Sequence, residues 1–155
     1  MLLWIVAIIS AVVHLALTGW GDPAHICEIL LTHQFVVTFG LVGIIGAVVN
    51  IAKADKTAKK LGWPGGPFQV KYGFSQICLG IMGIMCIWFH GTFWLGAMVV
   101  MYMYGISGLW SHTALMLKAK KILPYEVGNI IMDLAYQAFI TVLSVICGGV
   151  WVIGG

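Results

Sequence analysis

Charge is what this sequence has least of. Only 8% of its 155 residues are Asp, Glu, Lys or Arg, about a third of the share in a soluble globular domain. A folded chain so poor in charge cannot cover a water-facing surface, which excludes an ordinary soluble enzyme or binding module. Arginine is absent altogether, and the eight basic residues are all lysine. The planar guanidinium fork favoured for nucleic acid and phosphate is therefore missing, and no nucleic-acid partner is expected. The four cysteines, Cys27, Cys78, Cys86 and Cys147, have the spacing of neither a disulfide framework nor a zinc ribbon, so they do not indicate a redox compartment. There is no phosphate loop, no nucleophile elbow and no His-Glu-x-x-His pair. Internal repeats and low-complexity tracts are absent as well.

Apolar residues fill the space. They make up 61% of the chain, and the mean hydropathy is +1.03. Lipid is the solvent that suits such a composition. Met1 to Leu17 has no basic leader and no clear small-x-small cleavage site, so it reads as a retained helix rather than a signal peptide. About 20 apolar residues are needed to cross the hydrocarbon core. Five runs meet or approach that length: Leu2 to Leu17, Ile26 to Ala52, Phe68 to Phe89, Thr92 to Leu117 and Ile130 to Ile153. Only His90-Gly91 parts the third from the fourth, which implies a tight helical hairpin or, as the lesser alternative, one bent segment. The expected fold is an all-α integral membrane bundle of five transmembrane helices, forming one domain over residues 1–155.

Lysine placement predicts orientation. Lys53, Lys56, Lys59, Lys60 and Lys71 surround the loop after the second run, and Lys118, Lys120 and Lys121 follow the fourth. By the positive-inside rule these loops are cytoplasmic, the N-terminus is inside and the C-terminus outside. Trp4, Trp20, Trp63, Trp88, Trp94 and Trp151 fall near the interfaces, as an aromatic belt does. The expected location is a prokaryotic plasma membrane. The expected partners are the bilayer and either other membrane subunits or further copies of the chain.

Small and polar residues recur at helical spacing within the runs. The second has Phe39, Gly43, Gly46 and Asn50; the third has Gln69, Tyr72, Gln76, Gly80, Gly83, Cys86 and His90. The fourth has Met98, Met101, Gly105, Gly108 and His112; the fifth has Asn129, Asp133, Gln137, Thr141, Ser144 and Gly148. Such faces are expected as packing seams, because helices associate in lipid through small residues and interhelical hydrogen bonds. With the orientation above, the polar residues divide by depth. Asn50, Gln69, Tyr72, Gln76, His112, Asn129, Asp133 and Gln137 lie toward the cytoplasm. His14, His25, Cys27, Glu28, His33, Cys86, His90 and Cys147 lie toward the outside.

The inner group centres on Asp133, since an intramembrane carboxylate is costly and usually faces a partner or a cavity. Paired with His112 it could carry a proton or orient a polar ligand, with Gln69, Gln76 and Asn129 as further candidate ligand contacts; the plainer reading is a hydrogen bond tying two helices. The outer group raises metal chemistry. His14 and His33 at similar depth could hold a b-type haem axially. Cys86 and His90, four residues apart, could share a metal, and His25, Cys27 and Glu28 could bind copper or zinc. Met82, Met85, Met98, Met101 and Met103 would suit Cu(I), although packing is their commoner use. None of these spacings is a specific motif.

The loop after the second run carries the most distinctive pattern. Its prolines and glycines specify a shaped turn, with Pro67 well placed to open the next helix and Gln69 projecting from that helix start. Gly62-Trp63-Pro64-Gly65-Gly66-Pro67-Phe68-Gln69, followed by Tyr72-Gly73-Phe74 and Leu79-Gly80-Ile81-Met82-Gly83-Ile84, resembles an uncharacterised family of small prokaryotic membrane proteins. Asp55 and Ala58 match its upstream positions, and Trp110-Ser111-His112 and Gly128-Asn129 through Asp133 match its later ones. The likeness spans roughly residues 50 to 140. Val70-Lys71 stands where the family pattern has an acidic residue, and Asn50 where it has His. The resemblance implies a helical membrane bundle and no known reaction, and it singles out Gln69, His112, Asn129 and Asp133. Size, short loops and the lack of a catalytic motif favour a structural or accessory subunit of a larger membrane complex rather than an enzyme. The alternatives are a small-molecule- or proton-handling protein built on Asp133 and His112, and a haem- or copper-binding redox subunit built on the outer histidines.

Overall fold

The computed structural model describes residues 2–61 and 65–152. The Gly62-Trp63-Pro64 part of the loop pattern, including the belt residue Trp63, lies outside the described residues, as does Ile153 at the expected end of the fifth run. The described residues form six helices and no strand. They are α1 (Leu2–Thr18), α2 (Pro23–Ala52), α3 (Ala54–Leu61), α4 (Pro67–Met85), α5 (Thr92–Ala119) and α6 (Pro124–Ile146).

The five-span expectation holds only in its coarser form. Three helices, α2, α5 and α6, are long and apolar enough to cross a membrane, not five. The 17 residues of α1 rise about 26 Å, short of the roughly 30 Å hydrocarbon core. The 19 residues of α4 include Gln69, Lys71 and Gln76, which dilute its apolar content. The hairpin at His90-Gly91 is present: α4 stops at Met85, α5 begins at Thr92, and Gly91 takes φ 60° between them.

Two boundaries differ from the sequence expectation. Part of the expected loop after α2 is the short helix α3, whose Ala, Lys and Leu are good helix formers, with Asp55 in its first turn and Lys59 and Lys60 in its last. At the other end, α6 starts at Pro124 rather than near Ile130. Proline is suited to the first helical position because the amide it lacks would have no partner there. The earlier start brings Glu126 into the helix. Within α2, the turns Gln34–Phe39 and Ala47–Ala52 are widened π turns; the Lys53 amide reaches back five residues to the Val48 carbonyl at 2.9 Å.

Glycine sets how the helices meet. A methyl group on Gly43 of α2 would come 2.9 Å from the Cα of Gly80 on α4. Gly46 leaves room for the Gln76 side chain, and Gly83 abuts the Phe35 carbonyl. The backbones of α2 and α4 therefore run antiparallel in direct contact, as close helix pairs in lipid do. Helix α1 lays Ala7, Ala11 and Leu15 inward with virtually no exposure, and Trp4 at its start packs on Tyr136 and Phe139 of α6. The outside of the bundle is apolar, with Ile9, Val13, Ile44, Val99, Ile106, Ile131 and Val145 all exposed. A surface this continuous in large apolar side chains is a lipid-facing or protein-facing surface rather than a water-facing one.

The seam yields a pair of opposite predictions. Gly43→Val places atoms on the Gly80 backbone, which cannot yield, and is expected to destabilise the bundle by about 1–3 kcal/mol. Gly96 has open space where its Cβ would be, so Gly96→Ala is expected to be neutral or stabilising by up to about 1 kcal/mol. Thermal unfolding in detergent distinguishes the two.

Candidate functional site

One end of the bundle holds an open cavity of about 610 Å³ bounded by α1, α2, α4, α5 and α6. Aromatic side chains form much of its wall: Trp4, Phe39, Tyr72, Tyr104 and Tyr136. Its charged edge is formed by His112 and Asp133, with Gln137 one turn further along α6. The positions Asp133 and Gln137 are four residues apart and so share a helix face. That face is accommodated by glycines on α5. A Cβ on Gly108 would lie 2.7 Å from the Asp133 Oδ2, and one on Gly105 would overlap the Gln137 amide.

His112 is held between two carboxylates. Its Nδ1 lies 2.6 Å from the Glu126 Oε2, and its Nε2 lies 4.0 Å from the Asp133 Oδ2. An ionised carboxylate only accepts, so the short contact makes Nδ1 the donor. Glu126 is the most enclosed of the three, its side chain 14% exposed against 24% for His112 and 35% for Asp133. Glu126 and Asp133 are seven residues apart on one face of α6, two turns that span the imidazole. The sequence reading missed Glu126 because it began this helix too late. The signals were Pro124 as a first-turn residue and the seven-residue spacing of the two acids.

A second polar chain reaches the cavity from the other side. Gln69 donates to the Ala54 carbonyl at 3.2 Å and, longer, to the Asn50 Oδ1 at 3.5 Å. Asn50 donates to the Gln76 Oε1 at 2.7 Å. The Gln76 amide then donates to the hydroxyls of Tyr72 at 3.3 Å and Tyr104 at 3.4 Å. The two tyrosine hydroxyls thus end this chain at the cavity wall. Among the described residues, two buried acceptors, the Gln69 Oε1 and the Gln137 Oε1, have no partner. An unpaired buried acceptor typically costs about 1–3 kcal/mol.

The expected inner residues are therefore only partly assembled. His112 and Asp133 line the cavity. Gln76 is buried and touches it through Tyr72 and Tyr104, while Gln69 is buried one step further away, tied to Asn50 of α2 and Ala54 of α3 rather than projecting from the start of α4. Asn129 precedes Asp133 by one turn and is not part of the cavity wall.

The outer residues form separate pairs. His14 Nδ1 and His33 Nε2 lie 2.9 Å apart, and Ser10 Oγ meets His33 Nδ1 at 2.5 Å. Two imidazoles on opposite sides of one iron need nitrogens about 4 Å apart, since each metal–nitrogen bond is about 2 Å. As placed, the two histidines bond each other and leave no gap for a haem iron. Cys86 and His90 do not share a helix face, because α4 ends at Met85. Cys86 is fully buried. Its carbonyl accepts from the Trp94 indole at 3.0 Å, so Trp94 is a buried, packed anchor. His90 is exposed, stacks on Trp94 and lies 3.6 Å from Glu28. Among the described residues, no three His, Cys, Asp or Glu side chains gather as a metal ion would require.

No curated protein and no solved structure matches this chain. A family model does match, over residues 1–147, and its description is a family of unknown function. The match takes in α1 to α6 whole, and with them the cavity, the imidazole between its two carboxylates and the polar chain. The chain belongs to DUF6790, the family of unknown function whose model covers residues 1–147.

Proposed function

We propose that this protein is a small multi-pass membrane protein that takes a small molecule, in exchange with protons, into its inner-half cavity. The observation that carries this reading is His112 set between Glu126 and Asp133 at the edge of a roomy, aromatic-walled cavity. Ionisable residues inside a membrane are expensive and mark ligand or proton paths. A pure packing seam has no use for an open cleft of about 610 Å³, which falls in the size range of small-ligand sites. The accessory-subunit reading is supported only by small size and the lack of catalytic motifs, and the haem or copper reading by no convergent set of side chains. Both rank below the cavity.

The topology we propose has all five long helices in the bilayer, with the N-terminus cytoplasmic. Gln69 and Gln76 of α4 are buried against α2, and its outer side exposes Phe68, Phe74, Ile81 and Ile84. Its lipid face is therefore more apolar than its overall composition. The antiparallel hairpins collect all eight lysines at one end of the bundle, as the positive-inside rule requires for prokaryotic plasma membranes. The cavity, at the same end, then faces the cytoplasm. In intact cells, Trp20→Cys is expected to react with a membrane-impermeant maleimide and Thr57→Cys to react only after lysis. The reverse labelling pattern would overturn the orientation.

Native mass spectrometry in mild detergent tests the function. The wild-type chain is expected to carry a small molecule that Asp133→Asn and Glu126→Gln lose while keeping their fold. An empty wild-type bundle bound to other subunits, with Asp133→Asn lowering only its thermal stability, would instead establish the accessory role.

A further inference from the structure

Helix α1 is tied to α2 by one small set of polar contacts. His14 Nδ1 of α1 lies 2.9 Å from His33 Nε2 of α2, and the other nitrogen of His33 meets Ser10 Oγ at 2.5 Å. Among the described residues, these are the only side-chain hydrogen bonds between α1 and another helix. The rest of its inward face is slight: Ala7, Ala11 and Leu15. It has no glycine, so it lacks the backbone contact that joins α2 to α4. Its far end nonetheless forms part of the cavity wall through Leu3 and Trp4, and Trp4 packs on Tyr136 and Phe139. The corner Gly19-Trp20-Gly21 joins α1 to α2, with φ 105° at Gly19 and 59° at Gly21.

The bond between the imidazoles needs one nitrogen with a proton and one without. A neutral pair satisfies that. So does a pair with one extra proton, because a charged His33 donates to both Ser10 and His14. A second extra proton removes the bare nitrogen. Two N–H groups then face each other across 2.9 Å, and two like charges repel in a half-buried place. Among the described residues, no carboxylate lies within ion-pair distance of either imidazole. Helix α1 has no acid, lysine, cysteine or tyrosine. The titratable groups of the elements around the pair are engaged elsewhere. Glu28 lies 3.6 Å from His90, and His25 packs on Gly21. Cys147 stands by Cys27 and Glu28, Cys86 is buried beside Trp94, and Tyr136 is beneath Trp4. The charge that acts on His33 is that of His14.

Resting on the reading of the cavity as a ligand site, we propose that Ser10, His14 and His33 form a pH-sensitive latch that holds α1, and with it the wall formed by Leu3 and Trp4, over the cavity. Near neutral pH the latch is closed. As pH falls through the imidazole range, the doubly protonated pair parts, α1 swings about its glycine corner and the wall opens. The released pair binds more protons than the latched pair, so falling pH favours release. Only hydrogen bonds break, and the protons come from solvent.

Thr38 reports on the wall, being buried on α2 at the cavity. Thr38→Cys in the detergent-purified chain is treated with a neutral methanethiosulfonate at about pH 7.5 and about pH 5.5, which bracket the imidazole range. Each rate is scaled to that of a free thiol at the same pH, with the unsubstituted chain as background. The scaled rate is expected to rise about fivefold or more on acidification, in keeping with the loss of about one hydrogen bond. His14→Gln gives His33 a partner that takes no charge, and is expected to hold the rate low at both pH values. His33→Gln makes the same comparison if His14→Gln does not fold. His33→Leu removes the latch and is expected to give the high rate at both. A scaled rate that does not change with pH, or that rises equally in His14→Gln, would overturn the latch while leaving the cavity as a ligand site. A thiol that the reagent never reaches, even in His33→Leu, would count against both.

Discussion

The absence of side chains at a few glycines governs this structure. Where Gly43 faces Gly80, two helix backbones touch. Where Gly105 and Gly108 face α6, the space a Cβ would occupy is filled by the Gln137 amide and the Asp133 carboxylate. The first pair builds the α2–α4 half of the bundle. The second admits an ionisable group to the interior of an otherwise apolar assembly. Side chains at these positions would push the helices apart or turn Asp133 outward. In lipid there is no hydrophobic force between helices to resist such a shift, so association depends on close packing and internal hydrogen bonds.

Once Asp133 is admitted, the rest of the site follows from polar satisfaction. His112 takes the carboxylate of Glu126 at 2.6 Å and presents its other nitrogen toward Asp133. On the facing wall the chain from Gln69 through Asn50 to Gln76 satisfies most of its own members and ends on the hydroxyls of Tyr72 and Tyr104. Buried polar networks are expensive when incomplete. Among the described residues the site stays incomplete at the Gln137 Oε1, one turn along α6 from Asp133. An unmet acceptor next to a cavity is what separates a ligand site from a packing seam. At the outer end the same accounting comes out differently: His14, His33 and Ser10 satisfy one another, and the Trp94 indole is used by the Cys86 carbonyl.

Much of this was legible in the amino-acid sequence, for definite physical reasons. Low charge and long apolar runs signalled lipid and helices. Glycines at three- and four-residue spacing marked the seams that the helices use, including Gly43, Gly46, Gly80, Gly83, Gly105 and Gly108. Asp133 and His112 stood out because charge inside an apolar run is rare. The span count was less legible, because α1 is short and α4 mixes buried amides into its apolar run. Glu126 was hidden by the polar first turns of α6, which read as loop until Pro124 is given its weight. Pairing across helices was not readable at all. His14 and His33 looked like haem ligands by depth alone, and only their placement shows them bonded to each other. Cys86 and His90 looked like helical neighbours because the end of α4 carries no proline or glycine to announce it before Gly91.

The central claim is that the cavity edged by His112 and Asp133 admits a ligand. Ser111 lies on its wall next to His112 and is exposed. The most direct measurement is the reaction rate of Ser111→Cys with a cationic and an anionic methanethiosulfonate, each scaled to its rate with a free thiol, using the unsubstituted chain as background. The account predicts that the thiol is modified and that Asp133→Asn lowers the preference for the cationic reagent by about tenfold, as a carboxylate on the wall raises the local concentration of cations. A preference that Asp133→Asn leaves unmoved, or a thiol that neither reagent reaches, would contradict it.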